Sequence, residues 1–262
     1  MNLLGLAKLS FLRFLPILFL TGLIGRNAIA QEQPPLDADR PDFTESAIVV
    51  PRHSLQMESG YTFSRSGKEN NHSIGELLFR YGFANWLEGR LAGDSLTIQP
   101  SSRGHSTGRE DITLSTQIQL WRKSTSNKWR PNSSLILGTT LPTGEGENTL
   151  QPFAKWCLAW EIPLGFTAGT NFNYWHRREE GTSFGEWAGS LSIGHAITQR
   201  LNCYGEFYGF KPTHSNLSST QYLDGGLTYL ITPSFRVDFR LGHGFTSTEP
   251  DFFIGAGFVK RW

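Results

Sequence analysis

Charged side chains recur at even spacing along much of this chain: Glu58, Glu76, Arg80, Glu88, Arg90, Asp111, Lys155, Glu161, Glu186, Glu206, Asp224, Arg236, Asp238 and Arg240. Acids outnumber bases in the set, but both signs are present. Gathered on one surface, such groups can line a hydrated path and tune which solutes pass. They can equally close on one another as ion pairs and fill a narrow lumen. The sequence leaves both readings open.

Other chemistry is sparse. The seven histidines show no metal-ligand spacing. Asn71-His72-Ser73 sets a His beside a Ser in an expected loop, and adjacent residues cannot easily present a base to a hydroxyl, so a hydrolase is the weakest reading. Gly144-Glu145-Gly146-Glu147-Asn148 has donors for calcium, but a solvated loop is simpler. No catalytic, cofactor-binding or metal residue is assigned, no cofactor is expected, and the chain reads as a non-enzyme. The near-neutral net charge of +1 gives no reason to expect nucleic acid.

The charges sit on segments of period two. Phe235, Val237, Phe239 and Leu241 alternate with Arg236, Asp238 and Arg240; Ile112, Leu114, Ile118 and Leu120 oppose Asp111, Thr113, Ser115, Gln117 and Gln119; Leu55, Met57, Tyr61 and Phe63 oppose Gln56, Glu58 and Thr62. Alternation of this kind predicts strands with one apolar and one polar face. Twelve are expected, at about 54–65, 74–83, 87–98, 110–121, 132–141, 152–161, 165–176, 185–196, 200–210, 220–230, 234–244 and 252–262. Their length of about ten residues suits tilted strands that cross a bilayer, and an even count is usual for bacterial barrels.

The connections alternate in length as well. Phe83–Trp86, Ile162–Leu164, Ile197–Gln199 and Ile231–Pro233 are tight turns, while Ser66–Ser73, Pro100–Arg109, Thr143–Gln151, Arg177–Phe184, Pro212–Ser219 and Thr246–Asp251 are longer polar loops. Short periplasmic turns alternating with longer outer loops mark outer-membrane barrels. Residues 122–131 break the rule: they should be a turn, yet they are long and basic, with Arg122, Lys123, Lys128 and Arg130. Trp86, Trp121, Trp129, Trp156, Trp160, Tyr174, Trp175, Trp187 and Tyr229 are read as interface anchors. Cys157 points inward and Cys203 outward in this scheme, so free thiols are expected.

The fold class is therefore all-β, an antiparallel up-and-down transmembrane barrel of about twelve strands in the bacterial outer membrane. A soluble sandwich or jelly roll also alternates, but needs no strict alternation of loop lengths. Residues 1–30 read as a signal peptide: Lys8 and Arg13 precede the apolar run Phe14–Gly25, and Ala28-Ile29-Ala30 is a cleavage site. Residues 31–53 form a polar N-terminal stretch and 54–262 the barrel. Phe258 and Trp262, on an alternating last strand, resemble the signal read by the barrel assembly machinery; Lys260 departs from the usual apolar residue there.

Asp37 to Ser46 is polar and is interrupted by Pro41, which argues against a strand. Together with Val50-Pro51-Arg52-His53-Ser54-Leu55-Gln56-Met57-Glu58-Ser59-Gly60-Tyr61, and with Leu141-Pro142-Thr143-Gly144 farther on, it resembles the outer-membrane transporter-like family named for the meta-pathway of phenol degradation. The resemblance implies a barrel that passes small, often hydrophobic or aromatic, solutes. The expected partners are outer-membrane lipid, the assembly machinery and a small-molecule solute. The alternative is a structural or surface-interaction barrel without transport. For residues 37–46 a periplasmic lead-in that supports assembly is favoured. The other reading is a lumenal plug, with Asp39, Arg40, Asp42 and Glu45 meeting the lumen charges.

Overall fold

The computed structural model describes residues 34–262 apart from 68, 94–95, 102–103, 110, 125, 128, 145–147, 180 and 247–249. The expected signal peptide lies outside the described residues. The elements run β1 (Leu55–Ser66), β2 (Glu69–Ala84), β3 (Leu87–Gly93), β4 (Leu96–Ser101), β5 (Gly104–Arg109), β6 (Ile112–Trp121) and β7 (Asn132–Leu141). After β8 (Gln151–Ile162) and a 3-10 turn at Pro163–Gly165 come β9 (Phe166–Glu179), β10 (Thr182–Ala196), β11 (Leu201–Pro212) and β12 (Thr220–Thr232). The last two strands are β13 (Phe235–Gly244) and β14 (Phe252–Arg261).

Each wall strand pairs antiparallel with its neighbours, and β1 meets both β2 and β14, so the sheet closes on itself. In lipid an open edge would leave backbone groups without partners, and closure removes both edges. The seam runs from Gln56↔Arg261 to Arg65↔Phe252. Leu55 and Trp262 exchange two backbone bonds beyond it, at 3.2 and 2.8 Å. Lys260 reaches Ser234 Oγ at 3.0 Å and lies over the Trp262 ring, at the rim where its ammonium meets water.

The wall holds twelve strands, because β4 and β5 form a hairpin that extends it. β2 pairs with β3 through Leu77–Ala84 and then with β4 through His72–Ile74, and β4 folds back on β5. This corrects the expected loop at Pro100–Arg109. The loops expected at Ser66–Ser73 and Arg177–Phe184 shrink likewise, since β2 begins at Glu69 and β9 and β10 continue to Glu179 and from Thr182. Beyond the bilayer a strand needs pairing but no apolar face, so its alternation disappears while its ladder persists.

The faces are inverted relative to a soluble domain. Leu114, Leu137, Phe172, Leu191, Leu223, Leu227 and Leu241 point outward and are exposed, whereas Glu58, Arg80, Glu88, Gln117, Asn171 and Glu206 point inward and are at most 1% exposed. Inside β2 a bulge keeps this order. The register against β1 steps from Glu58↔Leu78 to Gly60↔Gly75, and Gly75 and Glu76 adopt φ of 110° and 39°. The extra residue turns Ile74 outward while Glu76 faces the lumen. Cys157 is buried and Cys203 half-buried, and both are free thiols.

This arrangement makes the two faces respond oppositely to charge. Leu227→Arg, in the middle of β12 on the outer face, is expected to destabilise the barrel by about 2–4 kcal/mol. Gln221→Arg, near the outer rim on the same face, should cost at most about 1 kcal/mol. Urea unfolding in phospholipid vesicles, followed by heat-modifiable gel migration, measures both; equal effects would contradict the assigned lipid face.

Candidate functional site in the barrel lumen

The ring of inward polar residues encloses residues 35–50, which form neither helix nor strand and make a circuit of the lumen. Such a backbone must find partners for each N–H and C=O, and the wall side chains supply them. Gln56 Nε2 donates to Asp37 O at 2.7 Å; Asp39 N and Arg40 N donate to Glu58 at 3.1 and 2.9 Å. Arg240 donates to Pro41 O at 3.0 Å, and Phe43 N and Thr44 N both donate to Glu206, at 2.6 and 2.7 Å. Gln117 and Gln119 donate to Ser46 O and Ala47 O, and Val50 N closes the circuit on Glu88 at 2.7 Å. The partners come from β1, β3, β6, β11 and β13.

The charged side chains of the segment meet the lumen charges directly. Arg80 is fully buried: it donates to Glu88 through Nε at 2.7 Å and Nη2 at 3.1 Å, to Asp39 and Glu58 through Nη1 at 3.3 Å, and to Ile48 O at 3.0 Å. All five guanidinium donors can be accounted for in this way. Arg90 pairs with Asp39, Glu45 and Glu88, and Lys155 pairs with Glu45. Arg40 bridges Glu76 at 2.5 Å and Asp238 at 3.1 Å, and its carbonyl accepts from Arg236. Burial would raise the Asp39 carboxyl, but Arg80 and Arg90 outweigh it and hold the group below the usual carboxylate range. Asp42 has Ser192 at 3.1 Å; burial and the neighbouring Glu206 push its carboxyl well above that range.

Glycines make room for the segment at the seam. Gly60 and Gly257 are register partners on β1 and β14, and a β-carbon at either would overlap the Arg40 guanidinium.

Farther along the strands, toward the long loops, the inward face becomes aromatic. Phe43 stacks on Tyr208 with ring centres 4.5 Å apart, Tyr208 stacks on Tyr222 at 4.7 Å, and Phe210 meets Phe43 edge-on at 5.2 Å. Lys155 sits over the rings of both Phe153 and Trp175. Reading only polar residues as lumenal missed this half. The signal was parity: Tyr208 and Phe210 follow Glu206 at steps of two, Tyr222 precedes Asp224, and Phe153 precedes Lys155.

Most of the charges expected in the lumen lie there, with two corrections. Glu161 is exposed at the short-turn rim, where it pairs with Lys123 at 2.5 Å; it ends β8 beyond the enclosed ring. Asp111 precedes β6 and caps a loop, accepting from Thr143 N and Gly144 N at 2.9 and 2.6 Å. Glu186 pairs with Arg177 at 2.7 Å near the other rim, and Asp224 is buried opposite Glu206. Trp175, expected as an anchor, is buried in the lumen because it shares the face of Asn171 and Asn173. His72 lies on strand β2, not in a loop, and faces outward to Tyr61 Oη at 2.8 Å. Glu145, Gly146 and Glu147 of the calcium candidate lie outside the described residues, and no group of three or more His, Cys, Asp or Glu among those described could hold a metal ion.

A closed twelve-strand barrel with an apolar exterior and a polar interior defines a bacterial outer-membrane β-barrel. Residues 38–262 match the family described as the MetA-pathway of phenol degradation, and the chain belongs to that family. Among solved structures it resembles an outer-membrane channel from Pseudomonas putida F1, with a TM-score of 0.64 at 12% identity, covering 83% of this chain and 98% of that one. The NanC porin aligns with a TM-score of 0.57 at 9% identity over 79% and 98% of the two chains. The KdgM porin does so with 0.52 at 10% identity over 78% and 98%. At these identities the likeness is one of fold. No curated protein matches the sequence.

Removing one partner of a buried pair costs about 3–5 kcal/mol, because the other is left without a counter-charge. Asp39→Ala and Arg90→Ala are each expected to loosen residues 38–48 by roughly this amount, and the double variant by clearly less than the sum. Amide hydrogen exchange across the segment measures all three, and strictly additive losses would show that the pair is not coupled. Gly257→Val should likewise raise exchange at Arg40 while the barrel keeps its heat-modifiable migration; unchanged exchange there would contradict the close packing at the seam.

Proposed function

We propose that the protein is an outer-membrane channel for small, hydrophobic or aromatic solutes and that residues 35–50 act as its plug. The circuit of hydrogen bonds and ion pairs from this segment to the lumen wall carries the reading. A lead-in that served assembly alone would have no need to satisfy Glu58, Arg80, Glu88 and Glu206 inside the barrel. The stacked rings of Phe43, Tyr208 and Tyr222 support the choice of solute: they offer flat apolar faces on the loop side of the plug, with Phe43 as its floor. The family description and the channel and porin relatives agree with passage of small molecules and favour a non-enzymatic role. Barrel assembly machinery, membrane lipid and solute remain the proposed partners.

A second reading has its own support. Many lumen charges are buried, and Arg40, Arg80, Arg90 and Lys155 are held in ion pairs, as in a barrel held rigid for a structural or surface role. Planar-bilayer conductance separates the two. Wild-type protein and a variant lacking residues 31–50 are compared, each verified by heat-modifiable migration. The plug reading predicts severalfold larger current on deletion, since the deletion vacates the level of Arg80 and Glu206. Equal currents would overturn the plug, and no current from either form would overturn the channel.

A further inference from the structure

The outer surface of the barrel carries a groove of about 490 Å³ where β10, β11 and β12 adjoin. Its position follows from residue type. Gly189 and Gly209 are register partners at outward-facing positions, so two adjacent sites on the lipid face lack side chains. Trp187, Leu191 and Phe207, all exposed, wall the depression, and Lys211 stands beside Trp187 in the next register pair. The lipid-facing ring of Trp187 packs on Tyr174 at 4.7 Å, which places an aromatic girdle here near the long-loop rim. The Lys211 ammonium has no ion pair or hydrogen bond among the described residues.

We infer that this groove is a binding site for one acyl chain of a phosphorylated outer-leaflet lipid, lipid A, with Lys211 receiving its phosphate. The depression lies within the outer half of the bilayer, where water does not compete for it and an acyl chain is the available apolar filler. A chain laid across Gly189 and Gly209 gains contact with Leu191 and Phe207 that a convex wall would deny it. Lys211 rises from the same groove at headgroup depth, where a long side chain extends its ammonium toward phosphate. The site is on the lipid face and is independent of the reading given to the lumen.

The test uses full-length barrel purified in detergent and native mass spectrometry with three probes: diphosphoryl lipid A, the same lipid with its phosphates removed, and phosphatidylglycerol. Wild-type protein should retain diphosphoryl lipid A in preference to the other two. Lys211→Gln should lower that retention about fivefold and abolish the difference between phosphorylated and dephosphorylated lipid A. Gly189→Leu, whose β-carbon meets nothing closer than the Asn171 carbonyl at 3.9 Å, fills the groove without crowding the wall and should lower retention of both lipid A forms. Heat-modifiable migration confirms that each variant is folded. Undiminished retention by either variant would overturn the site, and equal retention of phosphatidylglycerol would overturn its assignment to lipid A.

Discussion

A guanidinium shut away from water must find an acceptor for each of its N–H groups, and Arg80 is in that position in the middle of this barrel. Glu58 and Glu88 on the flanking strands supply part of the need. Asp39 and the Ile48 carbonyl, both from the segment before the first strand, supply the rest. The carboxylates are bound by the same constraint, since Glu58 and Glu206 each accept from backbone N–H groups of that segment. The polar interior and the enclosed segment are therefore two halves of one hydrogen-bonding system. The wall alone would hold charges in excess of its own partners, and the segment alone would satisfy few of its backbone groups, such as Ser46 N on Asp39 and Ile48 N on Ser46 Oγ.

How much of this could be read from the chain depends on where the membrane lies. Between the rims, lipid outside and polar groups inside force strict alternation, and strands such as β13 and β6 are legible residue by residue. Past the rims the constraint lapses. The hairpin of β4 and β5 therefore reads as loop, and β2 extends well before its alternation begins. Ile74 faces lipid although it shares the parity of Glu76 and Arg80, because of the bulge at Gly75, which no count of alternate residues reveals. Asp111 and Glu161 followed the parity of lumenal residues but stand at strand ends, where parity no longer decides what a side chain meets.

The segment before β1 was the least legible part, for a different reason. Its composition is that of a solvated loop, and nothing local in Asp39-Arg40-Pro41-Asp42 distinguishes a loop in water from one enclosed by a wall. The difference lies in partners from remote strands, up to 226 residues away in the case of Arg261 and Pro35. The aromatic half of the lumen was legible in principle. Tyr208, Phe210 and Tyr222 share the parity of Glu206 and Asp224, but an apolar residue on a barrel strand is ordinarily assigned to lipid.

The place of Arg40 carries a consequence for how the molecule is made. Its guanidinium rests against Gly60 of the first strand and Gly257 of the last, and its carboxylate partners lie on the strands just beyond, Glu76 on one side and Asp238 on the other. Those four strands become neighbours only when the two ends of the sheet meet. Before that moment half of the niche is on one edge and half on the opposite edge. Insertion of Arg40 thus registers that the cylinder is complete, and it ties the segment before β1 to both sides of the closing seam.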